Sequence, residues 1–550
     1  MSFEVDLLVR NASILTMDDA IDTNRPRART LAVHHGLVFN LFDDDHADGL
    51  RGRTEIDAQG ATLVPGFGDA HNHMAGFGLG LEAVDLSGLT ELAEVYARVA
   101  ERAATLPAGA FVLGTGYDDA ALGGHPDRYE LDRAAGGRPV WLGHRSAHVC
   151  LVNSPMLALL GVLDGTAVVP AGGVVVTDDA GQPTGLLEEQ AQQLVGAVLR
   201  PVPLEMLAGA LTRASAVYAA EGLTHVTECG IGGGWIGHSP LELAAYQRAA
   251  DAGELRVRVQ VMPSMDALHA VAGSVEDPHR RGLDLGLRTG FGDDRVRLGP
   301  VKIFMDGSLT ARTAAMHDVF CDRASHGYLQ DDPDVLRTKV LDAHASGWRI
   351  AAHAIGDRAI DLILDTFELA QKLHPRPDAR PRIEHAAVTS AAQVARMGSL
   401  GVTPVPQARF LYEIGDTMAA AVGPDRVDRL YRHASFLRAG LRVPGSSDRP
   451  VASGAPLLGI QSMVRRISSG GTVIGPDERV DALTALRAYT LDTAWIAGEE
   501  HRRGSLTPGK HADFVLLGDD ITTLDPDRIG DTQVIATYLG GTCTHGDLTP

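Results

Sequence analysis

Cysteine is scarce in this chain of 550 residues. Only four cysteines are present, Cys150, Cys229, Cys321 and Cys543, and they lie far apart without forming a CxxC pair. Small domains that depend on disulfides, and zinc sites built from thiolates, need cysteines at close and paired spacings. The cysteine pattern therefore argues against a disulfide framework and against a thiolate zinc site.

Long hydrophobic runs and a basic leader are also missing. No stretch reaches the ~18 uncharged apolar residues that a membrane span requires. The opening segment MSFEVDLLVRNASIL lacks a basic region followed by an apolar run and a cleavage site. We therefore expect a cytoplasmic protein that does not interact with membranes.

Basic residues are outnumbered by acidic ones. The 49 lysines and arginines against 70 aspartates and glutamates give a formal net charge of −21 at pH 7. Such a chain repels phosphate backbones and anionic membrane surfaces, which argues against nucleic acid as a partner. The acidic excess is typical of a solvated surface, and the expected partner is a small-molecule substrate.

Short apolar segments that alternate with helical patterns are abundant. A chain of 550 residues can hold a barrel of roughly 250 residues or more together with satellite domains. Strands that alternate with helices indicate βα units and a parallel sheet, so we predict an α/β fold with a (β/α)8 TIM barrel. The eight predicted strands lie near residues 63–70, 224–229, 256–262, 296–304, 349–353, 381–384, 401–405 and 441–445.

Both chain ends and one long connection fall outside this barrel. Segments such as DLLVRNASILTM near the start and ADFVLLGDD near the end favour strands, so we predict a composite β-sandwich domain from residues 1–62 and 500–550. The barrel then takes residues 63–75 and 211–499. Residues 76–210 are much longer than an ordinary βα connection and carry strand and helix signals of their own. We therefore predict an inserted lobe over the barrel mouth.

The strongest local motif is LVPGFGDAHNHM, residues 63–74, in which an apolar strand ends in His71-Asn72-His73. Residues i and i+2 of a strand point to the same side, so both imidazoles can converge on one metal ion. Neutral imidazole is a common zinc ligand, and Zn–N bonds of about 2.0–2.1 Å require such convergence. An HxH pair alone is weak evidence, because two surface histidines match it, but its position after a strand and a PGFGDA turn favours metal ligands.

Further candidates follow four later predicted strands. They are Lys302 and Asp306 in RVRLGPVKIFMDGSL, His353 in WRIAAHAIGD, His385 in PRIEHAAV, and Asp448 in LRVPGSSDRPV. A single polar residue at a strand end is usually structural, but barrel active sites collect residues from several strand ends at the carboxyl face. Histidines and an acid in this order predict a site for one or two divalent ions.

With these residues in place, the chain resembles the amidohydrolase superfamily, and within it the amidohydrolase family 3 branch that includes N-substituted formamide deformylase. The resemblance runs over nearly the whole chain and is carried by PGFGDAHNHM, VKIFMDGSLTARTAAM, HAIGDRAI, RIEHA, SSDRPV and GSLTPGKHADFVLL. These motifs in this order are specific to the superfamily and much less specific to any one substrate. Barrel amidohydrolases often associate, so the resemblance also implies a homodimer.

The resemblance implies that the histidines divide between two metal ions. His71 and His73 would hold the more buried ion, while His353 and His385 would hold the second. Zn²⁺ is the expected metal, bound as one or two ions, and Mn²⁺ and Co²⁺ are the alternatives.

The lysine and the two aspartates receive roles from the same resemblance. Lys302, carboxylated by carbon dioxide, would bridge the two metals, and Asp448 would bind the first metal and accept the proton of the attacking water. Asp306 would contact the metal ligands and not the metal itself, and it is also a candidate for substrate binding. An unmodified ammonium cannot bind a cation, so the alternative is Lys302 paired with a carboxylate such as Asp306 and a site for one metal instead of two.

These roles imply hydrolysis of an amide-type C–N bond. A divalent ion lowers the pKa of bound water from about 15.7 to about 7, and Asp448 can take the proton and return it to the leaving nitrogen. The leading substrate is an N-substituted formamide. A carbamate, a cyclic amide and an N-acyl amine are alternatives, because a fold does not fix the substrate.

Weaker candidates for substrate binding lie in three other segments. His144 and His148 in WLGHRSAHVCLVNS belong to the predicted lobe. Arg312 in DGSLTARTAAM could bind an anionic or carbonyl group, and Trp235 follows the second predicted strand. Each has a purely structural alternative, either as part of the lobe or in core packing.

Two other functional classes fit parts of the sequence. GGGWIG, residues 232–237, matches the GxGxxG pattern of dinucleotide-dependent oxidoreductases, but HSP intervenes before the next helix and no strand-end acid follows about 20 positions on. A non-catalytic binding protein on the same barrel should have lost some metal-ligand candidates, whereas all are present. Retained NAD would favour the first class, and a lack of bound zinc, manganese or cobalt would favour the second.

Overall fold

The computed structural model of the chain describes residues 3–19, 27–43, 47, 49–107, 109–144, 149–170, 173–234, 236–276 and 280–546. It divides into one unit of residues 1–77 and 211–550 and a second unit of residues 78–210.

Strands from both ends of the chain build two sheets in the first unit. A four-stranded sheet has the spatial order Leu37–Phe42, Thr30–His34, Phe3–Arg10 and Leu50–Asp57. A five-stranded sheet has the order Ser13–Ile14, Thr62–Pro65, Phe514–Leu517, Val534–Leu539 and Thr542–His545. Buried side chains from both ends, among them Val9, Leu63 and Phe514, form one cluster. The first and last parts of the sequence therefore share an apolar core.

Two four-stranded parallel sheets occupy the region predicted as barrel strands. In both sheets the strands neighbour one another in chain order. The first sheet contains Phe67–Asn72, Leu223–Ile231, Arg258–Pro263 and Val296–Leu298, and the second contains Val301–Phe304, Ile350–Ala354, Arg382–His385 and Thr403–Val405. Parallel neighbours in chain order, connected through helices, make this an α/β fold of the TIM-barrel-like type.

Bridges and hydrogen bonds extend the pairing beyond these sheets. An isolated bridge between Ser264 and Lys302 connects the two parallel sheets. The Ala70 amide donates to the Gly445 carbonyl at 3.0 Å, which places the segment after the last parallel strand beside the first one. This neighbouring segment carries Asp448 toward the end of the first strand.

One predicted strand is wrong in its extent. Residues 63–70 do not form a single strand, because Thr62–Pro65 joins the sheet of the chain ends and the parallel strand begins only at Phe67. Gly66 lies where the chain passes between the two sheets, and a Cβ there would be 2.2 Å from the Thr224 side chain. Glycine permits this close approach because it has no side chain.

Two further predicted strands also need correction. Residues 296–304 form two short strands interrupted at Pro300, which has no N–H to donate to a continuous ladder. The predicted strand 441–445 is not a regular strand in the described part of the chain. Its Gly445 amide donates instead to the Ala488 carbonyl at 2.9 Å, outside any strand ladder.

Helices follow the parallel strands and flank the sheets. One of these helices is Asp357–Leu373, whose buried Ile360, Ile363 and Phe367 recur at helical spacing on one face. The helices that lie wholly or partly in the first unit, in chain order, are Met74–Gly80, Leu204–Ala220, Glu242–Asp251, Pro333–Ala345, Asp357–Leu373, Ala391–Leu400, Ala408–Glu413, Gly415–Val422, His433–Arg438, Pro456–Arg465, Ala482–Arg487 and Thr493–Ala497.

The second unit has its own sheet and core. Its strands have the spatial order Gly173–Thr177, Pro183–Glu189, Val149–Val152, Val140–His144, Val112–Tyr117 and Val84–Asp85, and its helices include Leu92–Thr105, Arg128–Ala134, Ser154–Leu159 and Gln193–Leu199. Buried Val95, Val112 and Leu142 belong to one apolar cluster. Among the described residues no single helix is long and apolar enough to cross a membrane, and one bent pair, Gln190–Leu199 with Leu204–Ala220, matches a span by length and composition alone.

Candidate metal centre

The first parallel strand positions two imidazoles at its carboxyl end. His71 lies in the last part of Phe67–Asn72 and is fully buried, and the ring centroid of His73 is 5.6 Å from that of His71. Alternation along the strand turns the intervening Asn72 away from both rings. The Asn72 side chain accepts a hydrogen bond from the Tyr218 hydroxyl at 2.5 Å and donates one to the Asp69 carboxylate at 2.8 Å. These bonds hold the strand end in place.

Asp448 approaches both imidazoles. Its Oδ1 is 3.3 Å from Nε2 of His71 and 3.0 Å from Nε2 of His73, and one ligand atom from each residue lies within 4.8 Å of the others. Burial disfavours the Asp448 carboxylate, yet the neighbouring His71 and His73 hold its pKa well below the usual range. Two nitrogens and one carboxylate oxygen therefore converge, a donor set that fits a divalent metal ion.

Lys302 is buried beside the same histidine. Its Nζ is 3.4 Å from His71 Nε2 and 4.9 Å from the centroid of the Phe304 ring, and the residue is 1% exposed. Within the part of the chain that the structure describes, no carboxylate lies within 4.0 Å of this amine. The alternative pairing with Asp306 is therefore not formed. Burying an unpaired ammonium is costly, so the lysine needs another source of charge compensation.

His353 and His385 stand next to this group. Their ring centroids are 4.4 Å apart, and the His385 ring is 4.9 Å from that of His71. Nδ1 of His385 is 2.7 Å from the Gln407 side-chain oxygen, so it donates there and leaves Nε2 free to bind a metal. Burial, reinforced by the charge of Lys302, lowers the pKa of His353 to about 3. Both rings are thus suited to act as neutral ligands.

Asp306 organises the backbone around His353. Its carboxylate accepts hydrogen bonds from the amides of Ala315, Ile355 and Gly356 at 2.8–3.0 Å, and its Oδ1 is 3.7 Å from His353 Nε2. Burial raises the pKa of Asp306 to about 7 although these amides oppose the shift. Asp306 therefore supports the segment that follows His353.

Glu384 contacts the candidate ligand His71 and was not among the site residues predicted from the sequence. Its carboxylate accepts two hydrogen bonds from the Arg382 guanidinium, and it lies 2.5 Å from Nδ1 of His71. Burial alone would raise the pKa of Glu384, but the charge of Arg382 holds it well below the usual range. The i, i+2 spacing in RIEH was a usable signal, because it places an arginine and a glutamate on one side of a strand.

Cys229 also enters this region despite the expectation drawn from its spacing. One atom each of Cys229, His71 and Glu384 lie within 4.8 Å of one another, and all three residues are buried. The thiol is directed at the Thr227 carbonyl at 3.6 Å. Spacing along the sequence cannot reveal this proximity, since Cys229 comes from the neighbouring parallel strand.

The weaker candidates take different positions. The Arg312 guanidinium pairs with Asp322 and donates to the Leu309 carbonyl, and both of these partners are within its own loop. His144, in the second unit, is 2.9 Å from an Asp119 carboxylate oxygen. His148 and Trp235 lie outside the described residues.

The glycine-rich segment after the second parallel strand does not open a helix. Glu242 accepts hydrogen bonds from the amides of Gly232 and His238, and the next helix begins only at Glu242 itself. A dinucleotide site would instead place the glycine loop directly at a helix N-terminus. The geometry of this loop differs from that of a dinucleotide fold.

Comparisons with known proteins agree with this geometry. The protein LONG AFTER FAR-RED 3 of Arabidopsis thaliana is 31% identical over 549 residues, which cover 98% of this chain and 91% of that protein. The N-substituted formamide deformylase of Arthrobacter pascens is 28% identical over 562 residues, which cover 98% of this chain and 97% of that enzyme. The crystal structure of an uncharacterized metal-dependent hydrolase from Pyrococcus horikoshii OT3 superimposes with a TM-score of 0.78 at 26% identity, over 95% of this chain and 99% of the other.

A TIM-barrel-like fold with nitrogen and carboxylate donors at its strand ends defines a metal-dependent hydrolase. The sequence profile of the amidohydrolase family matches residues 54–545, and the chain belongs to this family. It is accordingly a hydrolase that acts on C–N bonds with the help of a divalent metal ion.

Proposed function

We propose that this enzyme hydrolyses the amide-type C–N bond of a small neutral substrate, with an N-substituted formamide as the leading class. The observation that carries the proposal is the approach of one Asp448 oxygen to 3.3 Å and 3.0 Å from the His71 and His73 nitrogens. The formamide assignment is supported by the similarity, over nearly the whole chain, to a relative named N-substituted formamide deformylase.

The donor set divides into two candidate ligand groups. His71, His73 and Asp448 would hold one ion, and His353 and His385 would hold a second. Zn²⁺ suits imidazole and carboxylate donors, and Mn²⁺ and Co²⁺ suit them as well.

Lys302 would complete the site as a carbamate. Its amine is buried against His71 and has no carboxylate within 4.0 Å among the described residues. After the ammonium releases one proton to solvent, the neutral amine would add carbon dioxide and release a second proton, which gives an anionic carbamate with oxygen donors and removes the cost of a buried unpaired ammonium.

The side chains around the donors supply positioning and proton transfer. When bound, a divalent cation lowers the pKa of water so that hydroxide is available near neutral pH. Asp448, held ionised, can accept the proton of the attacking water and return it to the leaving nitrogen. Glu384 and Gln407 fix the His71 and His385 rings through their Nδ1 atoms.

Metal analysis combined with a substrate panel tests this proposal. The purified protein should contain zinc, manganese or cobalt, and it should release formate from N-substituted formamides when tested beside N-acyl amines, carbamates and cyclic amides. Chelation should abolish turnover and the added metal should restore it. Turnover of another panel class without formamide cleavage would reject the formamide assignment alone, and a protein without metal or turnover would reject the whole proposal.

The carbamate has its own test. Carbon-13-labelled bicarbonate should give a carbamate resonance in the wild-type NMR spectrum and none in the spectrum of Lys302→Ala. The same spectrum in both proteins would reject the modification and leave the single-metal alternative.

A further inference from the structure

A cleft lined by arginines lies in the first unit, apart from the metal-ligand candidates. Its volume is about 460 Å³, and four of its lining residues are Arg288, Arg297, Arg349 and Arg376. Asp378 is the single acidic residue among the described residues that line it. A concentration of guanidinium groups in one cleft contrasts with the formal net charge of −21 of the whole chain.

This cleft is at the amino ends of the parallel strands. Arg349 directly precedes the strand Ile350–Ala354, whereas His353 lies near the carboxyl end of the same strand. Four residues of a strand span about 13 Å at about 3.3 Å per residue. The arginines and the metal-ligand candidates therefore occupy opposite ends of the sheet.

Two of the four arginines have no acidic partner within 4.0 Å in the described part of the chain. Arg376 donates to the carbonyls of His344, Gly347 and Trp348, which are neutral groups. The Arg288 guanidinium forms no hydrogen bond with a described residue, whereas the Arg288 backbone carbonyl accepts one from the Phe291 amide at 3.3 Å. Neither guanidinium is therefore paired directly with a carboxylate, although the charge of Asp378 acts on Arg376 from farther away.

The other two arginines have acidic partners. Arg349 pairs with Asp378, but Asp378 also accepts a hydrogen bond from Arg380 at 2.6 Å. Arg297 forms an ion pair with Glu499, yet its Nε is buried without a hydrogen-bond partner among the described residues. This Nε is closed to solvent and therefore offers no donor to the cleft, whereas the sharing of Asp378 leaves Arg349 only partly compensated.

The surroundings bring the guanidinium groups close together. Burial lowers the pKa of Arg376, and the charges of Arg288 and Arg349 lower it further, which reflects mutual repulsion that an anion would relieve. Gly347 and Gly498 adopt positive φ angles of 89° and 79°. A Cβ at Gly347 would lie 2.9 Å from Arg288 Nη1, and one at Gly498 would lie 2.7 Å from Arg349 Nη1.

We propose that this cleft binds a small multivalent anion that carries phosphoryl or carboxylate groups. Planar guanidinium groups present paired donors that match both anions, and charge-assisted hydrogen bonds of this kind are strong. The volume of about 460 Å³ is within the range of small-molecule sites. The site is separate from the C–N hydrolase centre and does not depend on its substrate.

Calorimetric titration of the metal-loaded enzyme tests this proposal, with inorganic phosphate and tricarballylate as probes at constant ionic strength. We expect saturable binding of at least one probe with one site per chain. Arg288→Gln should weaken it by about tenfold or more, because a charge-assisted contact is lost. Arg337→Gln removes one positive charge from the helix Pro333–Ala345, where Arg337 pairs with Asp334 outside the cleft, and should leave the affinity unchanged.

Several outcomes separate the alternatives. Binding of phosphate alone would identify a phosphoryl ligand, and binding of tricarballylate alone would identify a polycarboxylate. His71→Ala should retain the binding, and Arg288→Gln should retain wild-type turnover, because the cleft is remote from the metal centre. The proposal would be overturned by no saturable binding of either probe, by equal losses in the Arg288 and Arg337 variants, or by loss of binding in His71→Ala.

Discussion

The buried pair of Glu384 and Arg382 allows the candidate metal centre to be perturbed through a residue that contacts the ligand His71 and is not itself a proposed ligand. Replacing Glu384 by glutamine removes the negative charge between the Arg382 guanidinium and the His71 ring. Both members of the pair have fully buried side chains, and leaving one charge of such a pair without its partner costs about 3–5 kcal/mol of folding free energy. His71 also loses the carboxylate that orients its Nδ1, and loss of such a partner lowers metal affinity by about 10–100-fold.

Asp513→Asn is the matched control for this variant. Asp513 accepts two hydrogen bonds from Arg258 at 2.8 Å and 3.1 Å, and both side chains are buried. We expect similar decreases in the thermal unfolding midpoint in the two variants, and a decrease in metal affinity, measured by chelator competition, only in Glu384→Gln. Wild-type metal affinity in Glu384→Gln, or equal losses in both variants, would refute the role assigned to Glu384.

Three further predictions follow from the site and its surroundings. Asp448→Asn should lower turnover by at least about 100-fold while the circular dichroism spectrum is unchanged, and wild-type turnover would reject its role in proton transfer. Gln407→Leu should lower metal affinity by about tenfold, because His385 Nδ1 loses its acceptor. Gln407→Glu should restore the metal affinity, because a carboxylate oxygen can accept the same hydrogen bond. Equal affinities of these two variants would contradict the role of Gln407 in orienting His385. Burial raises the pKa of Glu242 from 4.5 to about 7. Between these pH values the folded protein keeps the carboxyl proton, whereas the unfolded chain releases it. The free energy of unfolding should therefore fall by up to about 3 kcal/mol as the pH rises from about 4.5 to about 7. Glu242→Gln should remove this part of the pH dependence of the unfolding midpoint, and identical pH profiles for both proteins would count against it.

The sequence predicts those parts of the molecule that repeat or that follow local rules. Alternating strand and helix patterns indicate the TIM-barrel-like α/β class, and the i, i+2 spacing of His71 and His73 predicts two rings on one side of a strand. The predicted strand over residues 63–70 is wrong in its extent because two successive strands, separated only by Gly66, belong to different sheets. Periodicity alone cannot show where a chain leaves one sheet and enters another.

The residues that hold the ligands in place were harder to predict. Gln407 lies 22 residues from its partner His385, and only the folded strands bring the two side chains together. The partner of Lys302 was equally undetermined, since a lysine followed by Asp306 suggests an ion pair that the folded chain does not form. Long-range side-chain geometry decides both cases, and sequence spacing carries no record of it.

The connection at Gly66 links the earliest part of the site to a segment that is synthesised after all the proposed metal ligands. The strand Thr62–Pro65 pairs with Phe514–Leu517, and the Gly66 amide donates to the Asp513 carbonyl. On the ribosome, His71 and His73 emerge long before Phe514–Leu517, so the strand before them gains this neighbour only after all the other proposed ligands have been synthesised. A premature stop codon between residues 449 and 513 would therefore leave the first histidine pair without its anchor, although every proposed metal ligand would already have been made.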